Sequence, residues 1–313
     1  MADNIDIISI GECMVELSSN VGLAYAENLN KYYGGDTIST AVAAARLGSK
    51  VGYLTKVGND LFRDFFLDSW QAENIDISYV GMGEGYNGLF FISRQETGKK
   101  EILFYRKKSA PTTLSVNDIH EEYISKASIV YSTGLTQSLS ESVREAVKKA
   151  FSLANKQETT VAYDPNYRTR LWTPEEAREA VDEVIEYVDI IMLNAIHDAE
   201  KIYGISSPDK IIKLFWDRGV PMVAVKMGKY GSAIGYNGEI NYIPACVYDV
   251  YDTTGAGDAY NGGFLHGIAE GYTPLEAAKL ASVVACLQIQ GLGMVRPIPY
   301  KEQVYAEFNP DNI

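Results

Sequence analysis

The stretch Val250-Tyr-Asp252-Thr-Thr-Gly255-Ala-Gly257-Asp258-Ala-Tyr-Asn261-Gly-Gly-Phe264 carries the reading of this chain. Two glycines flank Ala256 where a loop should turn into a helix of small and apolar residues. Glycine adopts backbone angles closed to other residues, so the amides of Gly255, Ala256 and Gly257 can point together at a helix N-terminus, which binds anions. Asp258 follows at once. A carboxylate there can accept a proton from a hydroxyl while amides and helix dipole stabilise charge on a phosphoryl group in transfer. The alternative is an ordinary capped helix start, because aspartate is common in first turns and glycine in turns. The length of the string favours the first reading. Neither GxxxxGK[ST] nor a GxGxxG after the first strand occurs.

Upstream of this turn, short apolar runs at residues 5–10, 51–57, 128–131, 160–163, 189–193 and 220–225 read as buried parallel strands. Helical patterns lie between them. Thr173-Pro-Glu-Glu176 places an N-cap threonine before proline at the first helical position and glutamate at the third, followed by Ala177, Val181, Val184, Ile185 and Val188 at helical spacing. Thr273-Pro-Leu-Glu276 repeats the device, and Ser140 precedes the stripe Val143, Val147, Ala150, Phe151 and Ala154. Alternating strands and helices predict an α/β fold, a mainly parallel sheet with helices on both faces. No repeat, low-complexity stretch or linker divides residues 1–313, so one domain is expected.

Two stretches depart from that alternation, residues 14–33 and 87–107. The second reads Gly88-Leu-Phe-Phe-Ile-Ser-Arg94, then a Glu-Thr-Gly-Lys turn, then Glu101-Ile-Leu-Phe-Tyr-Arg106, a hairpin pattern. A small β-sheet inserted in this way forms either a lid over a site or an edge-pairing, apolar surface element. Leu89, Phe91, Ile102 and Phe104 on such a sheet point to a homodimer or higher homo-oligomer through it.

Composition excludes several function classes. With 28 Lys and Arg against 41 Asp and Glu, the net charge of −13 argues against nucleic acid or an acidic membrane as partner. An anionic substrate then needs its own local arginines. Cys13, Cys246 and Cys286 are scattered, and His120, His197 and His266 lack zinc spacing, so neither a disulfide framework nor a zinc site is expected. No apolar run approaches a membrane span and the start lacks a basic signal-peptide region, which points to the cytoplasm.

Residues 252–264 resemble the second signature of the ribokinase-like (PfkB) sugar and nucleoside kinases. Tyr33-Gly34-Gly35-Asp36-Thr37 with Ala41-Val-Ala-Ala-Ala-Arg-Leu-Gly48 resembles the first, in the right order. The likeness covers essentially the whole chain. Three further strings are similar to the 2-keto-3-deoxygluconate kinases of that family: Gly11-Glu-Cys-Met-Val-Glu-Leu17 with Gly34-Gly-Asp-Thr37, Phe104-Tyr-Arg-Lys-Lys-Ser-Ala110, and Asp164-Pro-Asn-Tyr-Arg-Thr-Arg-Leu-Trp172. Fructokinases share much of this pattern.

The resemblance implies a ribokinase-like three-layer α/β/α core with a small β-sheet lid, and transfer of the ATP γ-phosphoryl group to a hydroxyl of 2-keto-3-deoxygluconate, giving the 6-phosphate. Asp258 would be the base and Gly255, Ala256 and Gly257 the anion hole. Arg106 and Arg168 would hold the sugar acid's carboxylate by their fork geometry, with Gly34, Phe90 and Phe104 beside the sugar. Asn194, Lys226, Gly228, Gly231, Gly255 and Gly257 would meet ATP with Mg²⁺, and Asp252 would adjoin a monovalent cation such as K⁺ or only tie down its loop. A fructokinase or other neutral-sugar kinase is the alternative, and a non-catalytic sugar-binding protein the remaining one. The chain departs from the family at Ser39, where asparagine is usual, at Phe90 and Phe104, where tyrosine is frequent, and at His197 in place of the acidic residue of an Asn-x-x-Glu motif, with Asp198 and Glu200 close behind; Tyr86 or Tyr105 is a candidate to replace the lost hydroxyls.

Overall fold

The structure is a computed structural model describing residues 4–95, 100–246 and 249–308. The apolar runs become β1 (Ile5–Ile10), β4 (Val51–Leu54), β9 (Ala127–Thr133), β10 (Thr160–Asp164), β11 (Ile190–Asn194) and β12 (Met222–Lys226), all parallel. An antiparallel hairpin, β13 (Ser232–Tyr236) and β14 (Glu239–Ile243), extends one edge, giving the order β14-β13-β12-β11-β10-β9-β1-β4. That hairpin escapes the periodicity reading, although Asn237-Gly238, with φ of 52° and 80°, is the turn pair whose twist suits a two-residue hairpin loop.

Continuous apolar runs follow from burial on both faces of this sheet. Ile7, Tyr53, Tyr131, Met192 and Ala224 pack with the helices Asp36–Leu47, Ala256–Ala269 and Pro274–Gln288. Ile8, Ile10, Val130, Leu193 and Val225 pack with Glu141–Lys156, Pro174–Val184 and Pro208–Trp216. The predicted three-layer architecture is therefore present. The 51–57 run divides at Thr55, whose carbonyl accepts the Gly81 amide at 2.9 Å, so that β5 (Lys56–Val57) leaves the large sheet and pairs with β6 (Gly81–Met82).

A separate four-stranded sheet has the order β3-β2-β7-β8, built from β2 (Met14–Ser19), β3 (Asn30–Gly34), β7 (Gly88–Arg94) and β8 (Lys100–Tyr105). Its strands come from the two stretches singled out in the sequence; the Glu-Thr-Gly-Lys turn lies outside the described residues. Register gives each face its residues. Phe90 pairs with Phe104 and Ile92 with Ile102, whereas Leu89 pairs with Tyr105 and Phe91 with Leu103. The four residues expected to form one apolar patch thus lie on opposite faces: Ile102 and Phe104 share the face of buried Phe90, and Leu89 and Phe91 occupy the other. Among the described residues no helix is long and apolar enough to cross a membrane.

Local capping holds as read: Ser140 accepts the Val143 amide, and Thr173 and Thr273 form reciprocal boxes with Glu176 and Glu276. Helix Pro274–Gln288 packs directly on Ala256–Ala269, so its cap steadies the layer that carries Asp258. Thr273→Ala should lower unfolding stability by about 1 kcal/mol, the usual worth of such a cap, in urea denaturation monitored by circular dichroism; an unchanged midpoint would contradict the contribution assigned to the box.

Candidate active site

Helix Ala256–Ala269 starts at the carboxyl ends of the parallel strands, where ligands of open α/β sheets bind. Gly255 caps it with φ +84°, and an added Cβ would stand 3.1 Å from the Met294 carbonyl, so both conformation and crowding favour glycine. The Ala256 amide donates to the Thr253 carbonyl at 3.3 Å. Gln288 occupies the Thr254 carbonyl at 2.7 Å, the oxygen to which the Asp258 amide would turn in a continued helix. Among the described residues no partner is seen for the amides of Gly255, Gly257 and Asp258, whereas the Ala256 amide, also expected in the anion hole, is taken up by the Thr253 carbonyl.

Asp258 is 6% exposed and its carboxylate has no hydrogen-bond donor among the described residues. Burial pushes its pKa well above the ordinary carboxylate range; Asp36 and Asp164 push the same way, and Arg168 and Lys226 oppose them. A carboxylate with free lone pairs and raised basicity is suited to taking a proton.

Around it the strand ends build a connected polar cluster. Lys226 binds Asp164 Oδ2 at 2.6 Å and Asn261 Oδ1 at 2.9 Å, and Asn261 donates to Asp164 at 2.7 Å and to the Tyr131 hydroxyl at 3.1 Å. Asp36 accepts from Thr133 at 2.6 Å and from Asn166 at 2.9 Å, leaving its other oxygen buried without a partner. Asn166 holds φ +42°, a left-handed conformation that asparagine tolerates better than most residues. Asp36, Asp164, Asn166 and Asn261 were not singled out as site residues from the sequence. Their signal is positional: Gly34-Gly35-Asp36 begins at the last residue of β3, and Asp164-Pro165-Asn166 at the last residue of β10.

On the prospective sugar side, Arg106 forms an ion pair with Glu12 at the β1–β2 turn, the arginine side chain 10% and the glutamate 0% exposed. Burial, then Asp36, pushes Glu12 up against the pull of Arg106, leaving its pKa at about 7. Arg168 donates to the Tyr167 carbonyl at 3.0 Å and its charge acts on both Asp258 and Asp198. Phe90 and Phe104 stack with ring centroids 5.7 Å apart, and Gly34 packs against Met294. Tyr105 lies on the opposite face of the small sheet and Tyr86 is exposed, so Tyr105 does not stand in for the missing hydroxyls. Ser39 is fully buried and its hydroxyl has no partner among the described residues.

The prospective nucleotide side is less uniform. Lys226 is buried with its ammonium directed to Asp164 and Asn261, and it lies 3.7 Å from where a Gly257 Cβ would stand, so it reinforces the turn from within. Gly228 opens onto free space with φ +58°, whereas a Cβ on Gly231 would collide with the Ile243 carbonyl at 2.0 Å; Gly231 closes the turn against β14. Asn194 caps the following turn through the Ile196 and His197 amides at 2.9 and 2.8 Å. That turn, Ala195–Ala199, is a π-helix, and the extra residue it accommodates makes Asp198, not His197, the buried acid: it accepts the Asn194 amide at 2.6 Å and the Tyr167 amide at 2.8 Å. Burial and neighbouring Asp164 raise Asp198 to about 6. Asp252, the expected neighbour of a monovalent cation, is instead paired with Arg94 at 2.6 Å.

The profile of pfkB family carbohydrate kinases matches residues 4–301. The chain is similar to a 2-dehydro-3-deoxygluconokinase of Bacillus subtilis (strain 168), 28% identical over 96% of this chain and 94% of that protein. It is 31% identical to a 5-dehydro-2-deoxygluconokinase of Clostridium beijerinckii, over 97% and 92% of the respective chains. The structure resembles that of a sugar kinase from Pyrococcus horikoshii solved in complex with ATP, with TM-score 0.79 and 26% identity over 95% of this chain and 96% of that one.

A buried carboxylate with a raised native pKa binds more protons folded than unfolded, so its ionisation costs stability as pH rises past the unfolded value. Asp258→Asn should therefore stabilise the fold at pH 8 relative to the parent and lose that advantage near pH 4. Thermal melts across that range decide it, and a gain independent of pH would contradict the assignment.

Proposed function

Because the chain belongs to the pfkB family of carbohydrate kinases, we propose that it transfers the γ-phosphoryl group of ATP to the terminal hydroxyl of 2-keto-3-deoxygluconate, giving the 6-phosphate. A sugar kinase is a phosphotransferase with an alcohol acceptor, and the choice among alcohols is what the site must supply. The observation that carries the choice is buried Arg106 paired with a glutamate that titrates near neutrality. Once Glu12 takes up a proton, the guanidinium is free to bind a substrate carboxylate bidentately, an interaction a neutral sugar cannot return. The relatives named above act on sugar acids, 2-dehydro-3-deoxygluconate and 5-dehydro-2-deoxygluconate, which supports this reading.

In the proposed reaction Asp258 accepts the hydroxyl proton as the sugar oxygen bonds to the γ-phosphorus and the bond to ADP breaks. The free amides of Gly255, Gly257 and Asp258, with the helix dipole behind them, receive the phosphoryl oxygens. Arg106 and Arg168 orient the acid end of the sugar. The apolar face bearing Phe90, Ile92 and Phe104 lies over the reactants, and the small sheet acts as a lid that keeps water out. Gly228 and the Gly255–Gly257 turn would meet the nucleotide. Among the described residues no three His, Cys, Asp or Glu side chains converge into a metal cage, which suits Mg²⁺ held chiefly by phosphates and water, with Asn194 and Asp198 to orient that water. When bound, Mg²⁺ neutralises charge on the phosphates.

Coupled ADP release measured with 2-keto-3-deoxygluconate, 2-keto-3-deoxygalactonate, fructose and ribose should rank the keto-deoxy acids first in kcat/KM. Arg168→Ala and Arg106→Ala should each lower the value for the acids by roughly 10- to 100-fold, the worth of a charge-assisted contact, and change fructose little. Preference for fructose would assign a neutral-sugar kinase. Asp258→Asn should lower turnover by about a thousandfold with ATP affinity retained, and near-parental turnover would remove Asp258 from the mechanism. In the parent enzyme the acid limb of kcat/KM should lie above the ordinary aspartate range near pH 4, since the carboxylate must be ionised to accept a proton.

A further inference from the structure

Asp252 is the residue that the family resemblance associates with a monovalent cation, and its surroundings do not fit one. Its Oδ2 takes the Arg94 guanidinium at 2.6 Å and the Gly293 amide at 3.1 Å; its Oδ1 takes the Thr254 amide at 3.1 Å and hydroxyl at 2.8 Å, with Lys100 Nζ at 3.8 Å. Arg94 also donates to the Thr254 hydroxyl at 3.0 Å, and Lys100 Nζ reaches the same oxygen. A carboxylate that binds a metal keeps lone pairs open toward a common point. Here N–H and O–H donors fill them, and a guanidinium that stays protonated at any working pH supplies the unit charge a potassium ion would bring. A further cation would enter against both Arg94 and Lys100.

Of the two cations Arg94 is largely buried and Lys100 is exposed. Arg94 ends β7 and Lys100 begins β8, paired in register across the small sheet, and the Arg94 side chain is only 13% exposed. Buried Glu16 on β2 adds a second carboxylate, with neither oxygen hydrogen-bonded to a side chain, and its titration is governed by burial and then by Arg94 and Asp252. Two acids and two bases thus form one cluster between the small sheet and the 252–254 turn, in which burial raises the pKa of Glu16 to about 7 and lowers that of Lys100. That turn runs straight into Gly255, and Thr254 is fixed by Asp252 on one side and by Gln288 on the other.

We propose that Arg94 and Lys100 are a built-in replacement for the monovalent cation: they neutralise Asp252, hold the turn that presents the Gly255, Gly257 and Asp258 amides, and make the kinase independent of potassium. Both are positioning residues that act through Asp252 and Thr254. Because they stand on the small sheet, the turn is neutralised only when that sheet is seated on it. The inference rests on the phosphoryl-transfer reading of the Gly255–Asp258 turn, but on no particular sugar.

The test compares the parent enzyme with Arg94→Met/Lys100→Met in potassium chloride and in tetramethylammonium chloride at equal ionic strength. Melting temperature, ATP affinity by calorimetry and ADP release are read in each. The parent should show the same values in both salts. The double variant should lose roughly tenfold or more in turnover in tetramethylammonium, and potassium should saturably raise its melting temperature and restore part of its turnover. Arg94→Lys, which keeps the charge, should remain potassium-independent. Activation of the parent by potassium with a rise in its melting temperature would overturn the proposal, as would a double variant with parental turnover and no response to potassium. Should the double variant not fold, single Arg94→Gln carries the same comparison. Melting and ATP binding need no sugar, so a wrong sugar assignment would leave these readouts intact.

Discussion

Buried carboxylates at the ends of parallel strands are tolerable only where donors and positive charge stand opposite them. Glu12, Asp36, Asp164, Asp198 and Asp258 all sit below a tenth exposure at one edge of the large sheet. Each but the last has an answering group: Arg106 for Glu12, Thr133 and Asn166 for Asp36, Lys226 and Asn261 for Asp164, and two backbone amides for Asp198. Asp258 has no hydrogen-bond donor among the described residues and is faced only by the charges of Arg168 and Lys226. It shares this lack of donors with the second oxygen of Asp36, and the two stand in the same polar cluster.

The same arithmetic of charge governs the turn ahead of that helix. A turn of free amides is a weaker anion site if an uncompensated carboxylate stands near it, and Asp252 precedes Gly255 by three residues. Compensation can come from an ion out of solution or from side chains. In this chain Asp252 is paired with two residues of the small sheet, so the charge balance of the 252–254 turn is tied to the position of that sheet.

Much of this was legible in the residues. The apolar runs and the Thr173 and Thr273 boxes gave strands and helix starts because each is a local signal, and Asp252–Asp258 located the helix N-terminus for the same reason. What local signals do not encode is partnership. Lys226 read as a nucleotide contact is held by Asp164 and Asn261, residues 62 and 35 positions away in the chain. The pairing of Asp252 with Arg94 likewise depends on register across a sheet whose β2 and β7 run parallel from two separate excursions. The π-helix after Asn194 shows a third kind of limit: it brings Asp198, not His197, to the Asn194 and Tyr167 amides, a choice that spacing along the chain leaves open.

That discontinuous small sheet has a mechanical consequence. It is joined to the body by four chain crossings, and three of them are Gly11–Cys13, the Gly34–Gly35 step into helix Asp36–Leu47, and the segment beginning at Arg106. Those crossings carry Glu12, Gly34 and Arg106 themselves. Any tilt of the sheet would therefore carry Glu12, Gly34 and Arg106 with it and shift all three together against the body.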